Sequence, residues 1–246
     1  MLTWHIPFDP RHEKAIVDFA ATTGPRAGSY EIDGQRFWIK RIEKQRWINR
    51  IQKGPAPKAF AADLAALKFL AGRGVPVPQI VAEDKGLFAM RDSGPTLQVI
   101  LRDRLGTEAE RVAAFAAAGK ALAELHGMGI SHGRPVPGDI CYQDGRITFL
   151  DFENYRAHRN RPKDFRLDLI IFIFMIYSFR RDESPEIIAA KAAYRANDPG
   201  GIWDSATEWL RGLRWVDTLT KPLQWRADPH AREFKSIPVT LRAFGV

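Results

Sequence analysis

The sequence contains very little cysteine, since Cys141 is the single one among its 246 residues. One thiol cannot form an internal disulfide bond, and it cannot build a metal site from several cysteines. Both features are therefore excluded. Chains without disulfides are typical of reducing compartments, so we expect a cytoplasmic protein.

Long apolar segments are also missing. Residues 1–10 lack the basic start and the apolar stretch of a signal peptide. The longest apolar run, Leu167–Phe179, is interrupted by Asp168 and is shorter than the about 20 residues that a membrane-spanning helix needs. The run predicts a buried helix, and any membrane contact is expected to be peripheral, on the inner face.

Acidic residues are in the minority. The chain has 37 Lys and Arg against 29 Asp and Glu, which gives a net charge of +8. This excess is compatible with an anionic membrane surface, a phosphorylated substrate or nucleic acid, and equally with a solvated basic surface that has no specific partner. Nucleic acid is disfavoured because no zinc-finger spacing or aromatic RNA-binding signature accompanies the charge.

The order of the predicted elements favours two lobes and an α+β fold class, because strands and helices do not alternate as in a doubly wound sheet. A small N-terminal lobe, residues 1–94, would hold an antiparallel sheet and one helix. It would join a mostly helical lobe, residues 95–246. Turn pairs, periodicity and a capping box predict the elements of both lobes. In the first lobe these are strands Ser29–Ile32 and Arg36–Ile42 around Asp33-Gly34, a helix over Ala59–Arg73 with a stripe of Phe60, Leu64, Leu67 and Phe69 or Leu70, and strands Gln79–Ala82 and Leu87–Arg91. In the second lobe they are a helix starting at Thr107-Glu-Ala-Glu110, a loop over Ser131–Asp139, strands around Ile140–Tyr142 and Arg146–Leu150 joined by Asp144-Gly145, and helices from Asp164 onward.

The segment from Leu125 to Glu153 resembles the catalytic core of kinase-like phosphotransferases. His132-Gly-Arg134 stands at the start of the signature His-Arg-Asp-Leu-x-x-x-Asn, with Asp139 at its Asn position, and Asp151-Phe-Glu153 replaces Asp-Phe-Gly. The resemblance is closest to the bacterial branch that contains lipopolysaccharide (Kdo) kinases, with aminoglycoside-phosphotransferase-like enzymes as relatives. It covers residues 28–179, and it implies a protein-kinase-like bilobal fold that binds ATP and Mg²⁺.

The resemblance implies a nucleotide site in the N-terminal lobe. Lys40 on the second strand would reach the phosphates, although a lysine there is ordinarily an exposed edge residue. Asp63 on the following helix would hold Lys40 where the family usually has Glu, and the alternative is a solvated helix surface. Met90 would flank the adenine, or serve as a core residue. The segment Thr22–Gly28 stands where a glycine-rich phosphate loop is expected, but its two glycines and proline favour an ordinary turn.

The same resemblance implies a metal site. Asp151 follows an apolar strand, so its carboxylate is expected at a cleft, where it would hold Mg²⁺ together with Asp139. The alternative for Asp151 is a turn or a helix cap. Asp168 resembles the acid that anchors the backbone of the catalytic loop, and its alternative role is to interact with the helix dipole at the start of the apolar helix. His132 is expected to pack that loop rather than to act as a base.

Arg134 occupies the position of the catalytic aspartate, and arginine stays protonated, so it cannot be a general base. Three interpretations follow. Asp139 could both ligate the metal and orient the nucleophile, or Arg134 could bind the γ-phosphate or an anionic acceptor. In the third, the protein is a pseudokinase that binds nucleotide as a scaffold. The intact loop favours a divergent active enzyme.

The leading hypothesis is an ATP- and Mg²⁺-dependent phosphotransferase that acts on a hydroxyl group. The basic balance favours an anionic, lipid-linked sugar of the lipopolysaccharide type over a cationic amino-sugar antibiotic. Near the C-terminus, the cluster Trp209-Leu-Arg-Gly-Leu-Arg-Trp215 could contact a lipid or sugar surface. Its alternative is an amphipathic core helix whose arginines extend to solvent.

Overall fold

The structure is a computed structural model that describes residues 2–22, 25–42, 56–226 and 231–246. Its backbone divides into two compact units. The first runs to Ser93 and includes Leu150–Glu153, and the second comprises Gly94–Phe149 and Asn154–Val246. A five-stranded sheet dominates the first unit, whereas the second is mostly helical. The predicted α+β class, with an antiparallel sheet followed by a helical part, is confirmed.

The sheet of the first unit is antiparallel throughout, in the strand order β1-β4-β5-β3-β2. Two described helices accompany it. The elements are β1 (Thr3–Trp4), α1 (Pro10–Ala21), β2 (Ala27–Ile32), β3 (Gln35–Arg41), α2 (Ala56–Ala71), β4 (Ile80–Asp84) and β5 (Leu87–Arg91).

The hairpin of β2 and β3 turns at the predicted Asp33-Gly34 pair. Both residues have positive φ angles, 53° and 74°, as a type I′ turn requires. Along β3 the side chains alternate between the two faces of the sheet. Phe37 and Ile39 are buried in a cluster with Ile16 of α1. The alternation therefore places Lys40 on the face away from that cluster.

Helix α2 confirms most of its predicted apolar stripe. Phe60, Leu67 and Leu70 are buried, and the ring of Phe60 lies 5.3 Å from that of Phe88 on β5. Phe69 is half exposed. Phe69 comes two residues after Leu67, a separation that turns its side chain to the other side of the helix. Leu70, three residues after Leu67, takes the buried position instead. The preceding connection, Glu43–Lys58, lies mostly outside the described residues, as does part of Thr22–Gly28.

The second unit contains a two-stranded sheet and seven of the described helices. Its α-helices and strands are α3 (Leu97–Asp103), α4 (Glu108–Gly127), β6 (Ile140–Gln143), β7 (Arg146–Phe149), α5 (Pro162–Phe179), α6 (Pro185–Ala196), α7 (Ile202–Arg211), α8 (Trp215–Gln224) and α9 (Arg232–Ala243). Short 3₁₀ helices cover Pro137–Asp139 and Phe152–Asn154.

Two predicted features organise the second unit. The capping box is confirmed, since Thr107 Oγ accepts from the amide of Glu110, and the Glu110 carboxylate accepts from the Thr107 amide in return. The apolar helix is confirmed as α5, whose Leu169, Phe172 and Ile173 are fully buried. Within the described part of the chain, no helix is long and apolar enough to span a membrane.

The tryptophan-rich segment near the C-terminus spans the end of one helix and the start of the next. Trp209 lies near the end of α7 and Trp215 begins α8, with Gly212 between the two helices. Both tryptophans are exposed, and every residue of α8 is at least partly exposed. The cluster is therefore not a single helix: α7 is an amphipathic helix whose Leu210 is buried, as expected, whereas α8 buries no residue.

Candidate functional site

Lys40 lies between two carboxylates in the first unit. Its Nζ atom is 2.7 Å from Asp63 Oδ2 and 3.0 Å from Asp151 Oδ1. Strand β3 supplies the lysine, α2 supplies Asp63, and Asp151 follows β7 by two residues. The structure thus brings Lys40 together with two residues that lie 23 and 111 positions after it along the chain.

Asp63 is held on the buried side of α2. Its side chain is almost completely buried, and its second oxygen, Oδ1, has no hydrogen-bond partner among the described residues. An unpaired carboxylate at such a position is strongly unfavourable, because burial removes its hydration. The charge of the buried Asp63 carboxylate is therefore compensated by the ammonium group of Lys40.

Burial and the charges of the neighbouring groups shift the pKa values of Lys40 and Asp63. Burial alone would lower the pKa of Lys40, but the negative charges of Asp63 and Asp151 outweigh burial and raise it. Burial raises the pKa of the Asp63 carboxyl, and Lys40 offsets this only in part. Lys40 is therefore a firmly protonated cation at neutral pH.

Asp151 adopts an unusual backbone conformation. Its φ angle is +57°, in the left-handed region that non-glycine residues seldom occupy. Next to it, Phe152 is fully buried, which fixes the segment in place. Such conformations persist only where the surroundings enforce them, and they cluster at functional sites. Glu153 forms an ion pair with Arg26, at 3.7 Å.

The loop that begins with His132 is anchored in the second unit. Asp168 of α5 accepts hydrogen bonds from the amides of His132 (2.6 Å) and Gly133 (3.0 Å) and from Ser131 Oγ (2.8 Å). The prediction that Asp168 anchors the backbone of this loop is confirmed. His132 itself is buried, and its ring packs edge-on against Phe149.

Gly133 is required where the kinase signature has arginine. Its φ angle is +91°, and a Cβ atom at this position would lie 3.0 Å from the backbone of Asn154. Asn160 adds a further contact, because its Oδ1 accepts from the Ser131 amide at 2.9 Å. This conformation directs the chain into Arg134, which is exposed.

Asp139 ends the 3₁₀ helix that precedes β6, and it is half buried. Met90 lies on β5, opposite Trp38 of β3 and Ile80 of β4, and is also half buried. The roles predicted for both residues, and those predicted for His132 and Arg134, stay predictions.

The donor chemistry fits magnesium. Mg²⁺ is usually held by one or two carboxylates together with phosphate oxygens and water, rather than by an all-protein cage. Among the described residues, no group of three or more His, Cys, Asp or Glu side chains forms such a cage. A partly exposed carboxylate at Asp151, beside a lysine suited to phosphate, matches the first kind of site.

Comparison with known proteins shows the family of this chain. Residues 31–170 match the family model described as "Phosphotransferase enzyme family" (APH), which is more than half of the chain. The chain belongs to the phosphotransferase enzyme family. The match extends from β2 into α5 and so includes Lys40, Asp63, Asp151 and Asp168.

Two relatives of this phosphotransferase cover most of its length. An uncharacterized protein of Haemophilus influenzae is 27% identical over 197 residues, which are 79% of this chain and 81% of the relative. A probable bifunctional tRNA threonylcarbamoyladenosine biosynthesis protein of Natronomonas pharaonis is 23% identical over 210 residues, which are 82% of this chain but only 38% of that protein.

Sequence reasoning missed two residues of the phosphotransferase site. Arg26 precedes β2 and pairs with Glu153, but an isolated arginine near a turn gives no signal of a partner far along the chain. Asn160 contacts the amide of Ser131, which lies 29 positions earlier in the chain. Neither contact has a local spacing pattern that could have revealed it.

Proposed function

We propose that this chain transfers the terminal phosphoryl group of ATP, with Mg²⁺, to a hydroxyl group of an anionic acceptor. The observation that carries the proposal is the position of Lys40, which is held between the buried Asp63 and the partly exposed Asp151. A fixed cation next to an accessible carboxylate suits a phosphate chain and its metal ion.

Each residue has a separate task in this proposal. Lys40 binds phosphate oxygens, and Asp63 keeps its ammonium group in place. Asp151, with Asp139, holds Mg²⁺, which neutralises phosphate charge when it is bound. Phosphoryl transfer depends mainly on positioning and on charge neutralisation, so turnover does not require an aspartate at the position of Arg134.

A cationic segment supports an anionic acceptor. Residues 155–166 contain four arginines and a lysine, of which Arg156, Arg159, Arg161 and Lys163 are exposed. A cavity of about 110 Å³ beside the His132 loop is lined by Arg156 and Arg159, and also by Asp164 and Asp168. Both of these carboxylates are already engaged, Asp164 by Arg161 and Asp168 by the loop amides. We extend the proposal to an acceptor of the lipopolysaccharide-sugar type, whose phosphate or carboxylate groups would bind these cations and Arg134.

Nucleotide binding is tested first, by thermal denaturation with ATP in the presence and absence of Mg²⁺. Lys40→Met is expected to abolish stabilisation by ATP, and Asp151→Asn to abolish the additional stabilisation by Mg²⁺. Lys68→Met and Asp33→Asn are matched controls. Lys68 is an exposed lysine paired with Glu83, and Asp33 is a second aspartate with positive φ. An unchanged thermal shift in Asp151→Asn would reject its role at the metal.

Transfer is tested separately, by mass spectrometry of an envelope extract incubated with the protein and ATP. A mass gain of one phosphoryl group in an anionic glycolipid supports the proposal. Arg134→Ala should reduce transfer while the nucleotide thermal shift stays intact, whereas Arg146→Ala, an exposed arginine on β7, should not. Stabilisation by ATP without any transfer would favour the pseudokinase alternative.

A further inference from the structure

Helix α8 turns an apolar face toward solvent. Trp215, Leu219, Pro222 and Trp225 follow one another at intervals of four, three and three residues, which places them along one side of the helix. Trp215 is 59% exposed, Leu219 is 67% exposed and Trp225 is 82% exposed. In a helix of a globular protein such a stripe ordinarily faces the core.

The opposite side of α8 is the side that packs. Val216, Thr220 and Leu223 are half buried, and α8 contacts α9. Gln224 Nε2 donates to Asp217 Oδ1 at 3.0 Å, and both side chains are partly buried. The half-buried side and the contact with α9 define which face of the helix packs and which face is exposed.

Cations dominate the charge of the segment that carries the exposed stripe. Between residues 211 and 226, the exposed charged residues are Arg211, Arg214, Lys221 and Arg226. The one acid of this segment, Asp217, is partly buried and engaged by Gln224. The surface thus combines two exposed indole rings and a leucine with four exposed cations.

We propose that α8 is an interfacial helix that binds an anionic lipid surface. Tryptophan favours the boundary between headgroups and acyl chains, where its ring is apolar and its N–H stays hydrated. Helices that lie in this plane combine an apolar face with lysine and arginine beside it. Anionic headgroups attract each cation near the surface, so charge complementarity selects a lipid surface as the occupant.

This inference does not depend on the proposed chemistry. A lipid-linked acceptor would gain from a membrane-bound phosphotransferase, but α8 would bind lipid whether or not Lys40 binds ATP. Thermal stabilisation by ATP and Mg²⁺ reports only on the nucleotide site, and vesicle binding reports only on α8. The two proposals therefore fail separately.

The test is flotation of the full chain with vesicles of phosphatidylcholine alone or mixed with phosphatidylglycerol. The wild type should float with the anionic vesicles. The variant Trp215→Ser/Leu219→Ser/Trp225→Ser should lose about tenfold or more in partitioning, because it removes the apolar face. Arg214→Gln/Lys221→Gln should lose roughly fivefold for each cation removed, and only with anionic vesicles. Ile188→Ser on α6, which is 49% exposed, is the matched control and should float like the wild type.

Three outcomes would overturn the proposal. They are absence of wild-type flotation, equal flotation with neutral and anionic vesicles, and unchanged flotation of the triple-serine variant. Filter retention of tRNA that is lost in that variant while flotation is unchanged would assign the face to RNA instead. Circular dichroism melts check folding, and Trp225→Ser alone, at the most exposed position, must show a partial loss even if the triple variant unfolds.

Discussion

Replacement of Asp168 by alanine tests the anchor of the His132 loop. The carboxylate accepts hydrogen bonds from the His132 amide, the Gly133 amide and Ser131 Oγ. Ser131 and His132 are both buried, so their donors depend on the carboxylate more than exposed donors would. Each buried donor left unsatisfied costs about 1–3 kcal/mol, which predicts a loss of about 4 kcal/mol in the free energy of unfolding.

Asp164 provides the matched comparison, because it belongs to the first turn of the same helix. Its carboxylate accepts from the amide and the side chain of Arg161, at the exposed start of α5. Asp164→Ala removes a cap that water can replace, and such losses cost about 1 kcal/mol. The two substitutions remove the same chemical group, so burial of the partners should account for the difference.

Urea unfolding followed by circular dichroism measures the two free energies. Hydrogen exchange measured by mass spectrometry adds a local readout, because the amides of His132 and Gly133 should exchange faster in Asp168→Ala and should stay protected in Asp164→Ala. The reasoning is refuted if Asp168→Ala costs no more than Asp164→Ala, or if exchange in the loop is the same in both variants.

Two further predictions concern the contact of α4 with α6. Gly119→Ala should destabilise the protein by about 2 kcal/mol, because the added Cβ would lie 2.1 Å from the Ala190 carbonyl oxygen. Thermal melts should show no such loss for the control Gly127→Ala, because a Cβ at Gly127 would have ordinary contacts. Glu186→Gln weakens the buried pair with Arg111, 3.1 Å away, and should cost about 2 kcal/mol at neutral pH. Burial alone would raise the pKa of Glu186, but hydrogen bonds and Arg111 lower it below 4.5. The stability of the wild type should therefore fall toward that of Glu186→Gln as the pH drops through the depressed pKa. A difference in stability that does not change with pH would contradict this.

Local signals account for the parts of the fold that sequence alone predicted. The Asp33-Gly34 and Asp144-Gly145 turns need positive φ at both positions, and the structure has these angles at each pair. The capping box at Thr107 is likewise read from residues three apart. Such features depend on a few neighbouring residues, so their chemistry is visible without the tertiary structure.

Long-range contacts explain what the sequence did not reveal. Strand β1 has only two residues, Thr3 and Trp4, and it forms because β4 offers an edge about eighty positions away. The ion pair of Arg26 with Glu153 joins segments that are still farther apart. Neither has a periodicity of its own, so local patterns could not predict it. Lys40 and Asp63 were predicted through resemblance to a family rather than through spacing.

The aspartate at position 63 does not weaken the lysine pair, although its side chain is one methylene shorter than glutamate. The distance of 2.7 Å from Lys40 shows that reach is not limiting. If Lys40 moved away, it would leave a buried carboxylate without compensation, and broken buried ion pairs typically cost about 3–5 kcal/mol. That penalty exceeds the side-chain conformational entropy that Lys40 would regain by moving away. Asp63 therefore holds Lys40 in place, and Asp151, which is more exposed, is the carboxylate to which the proposed function assigns the metal ion.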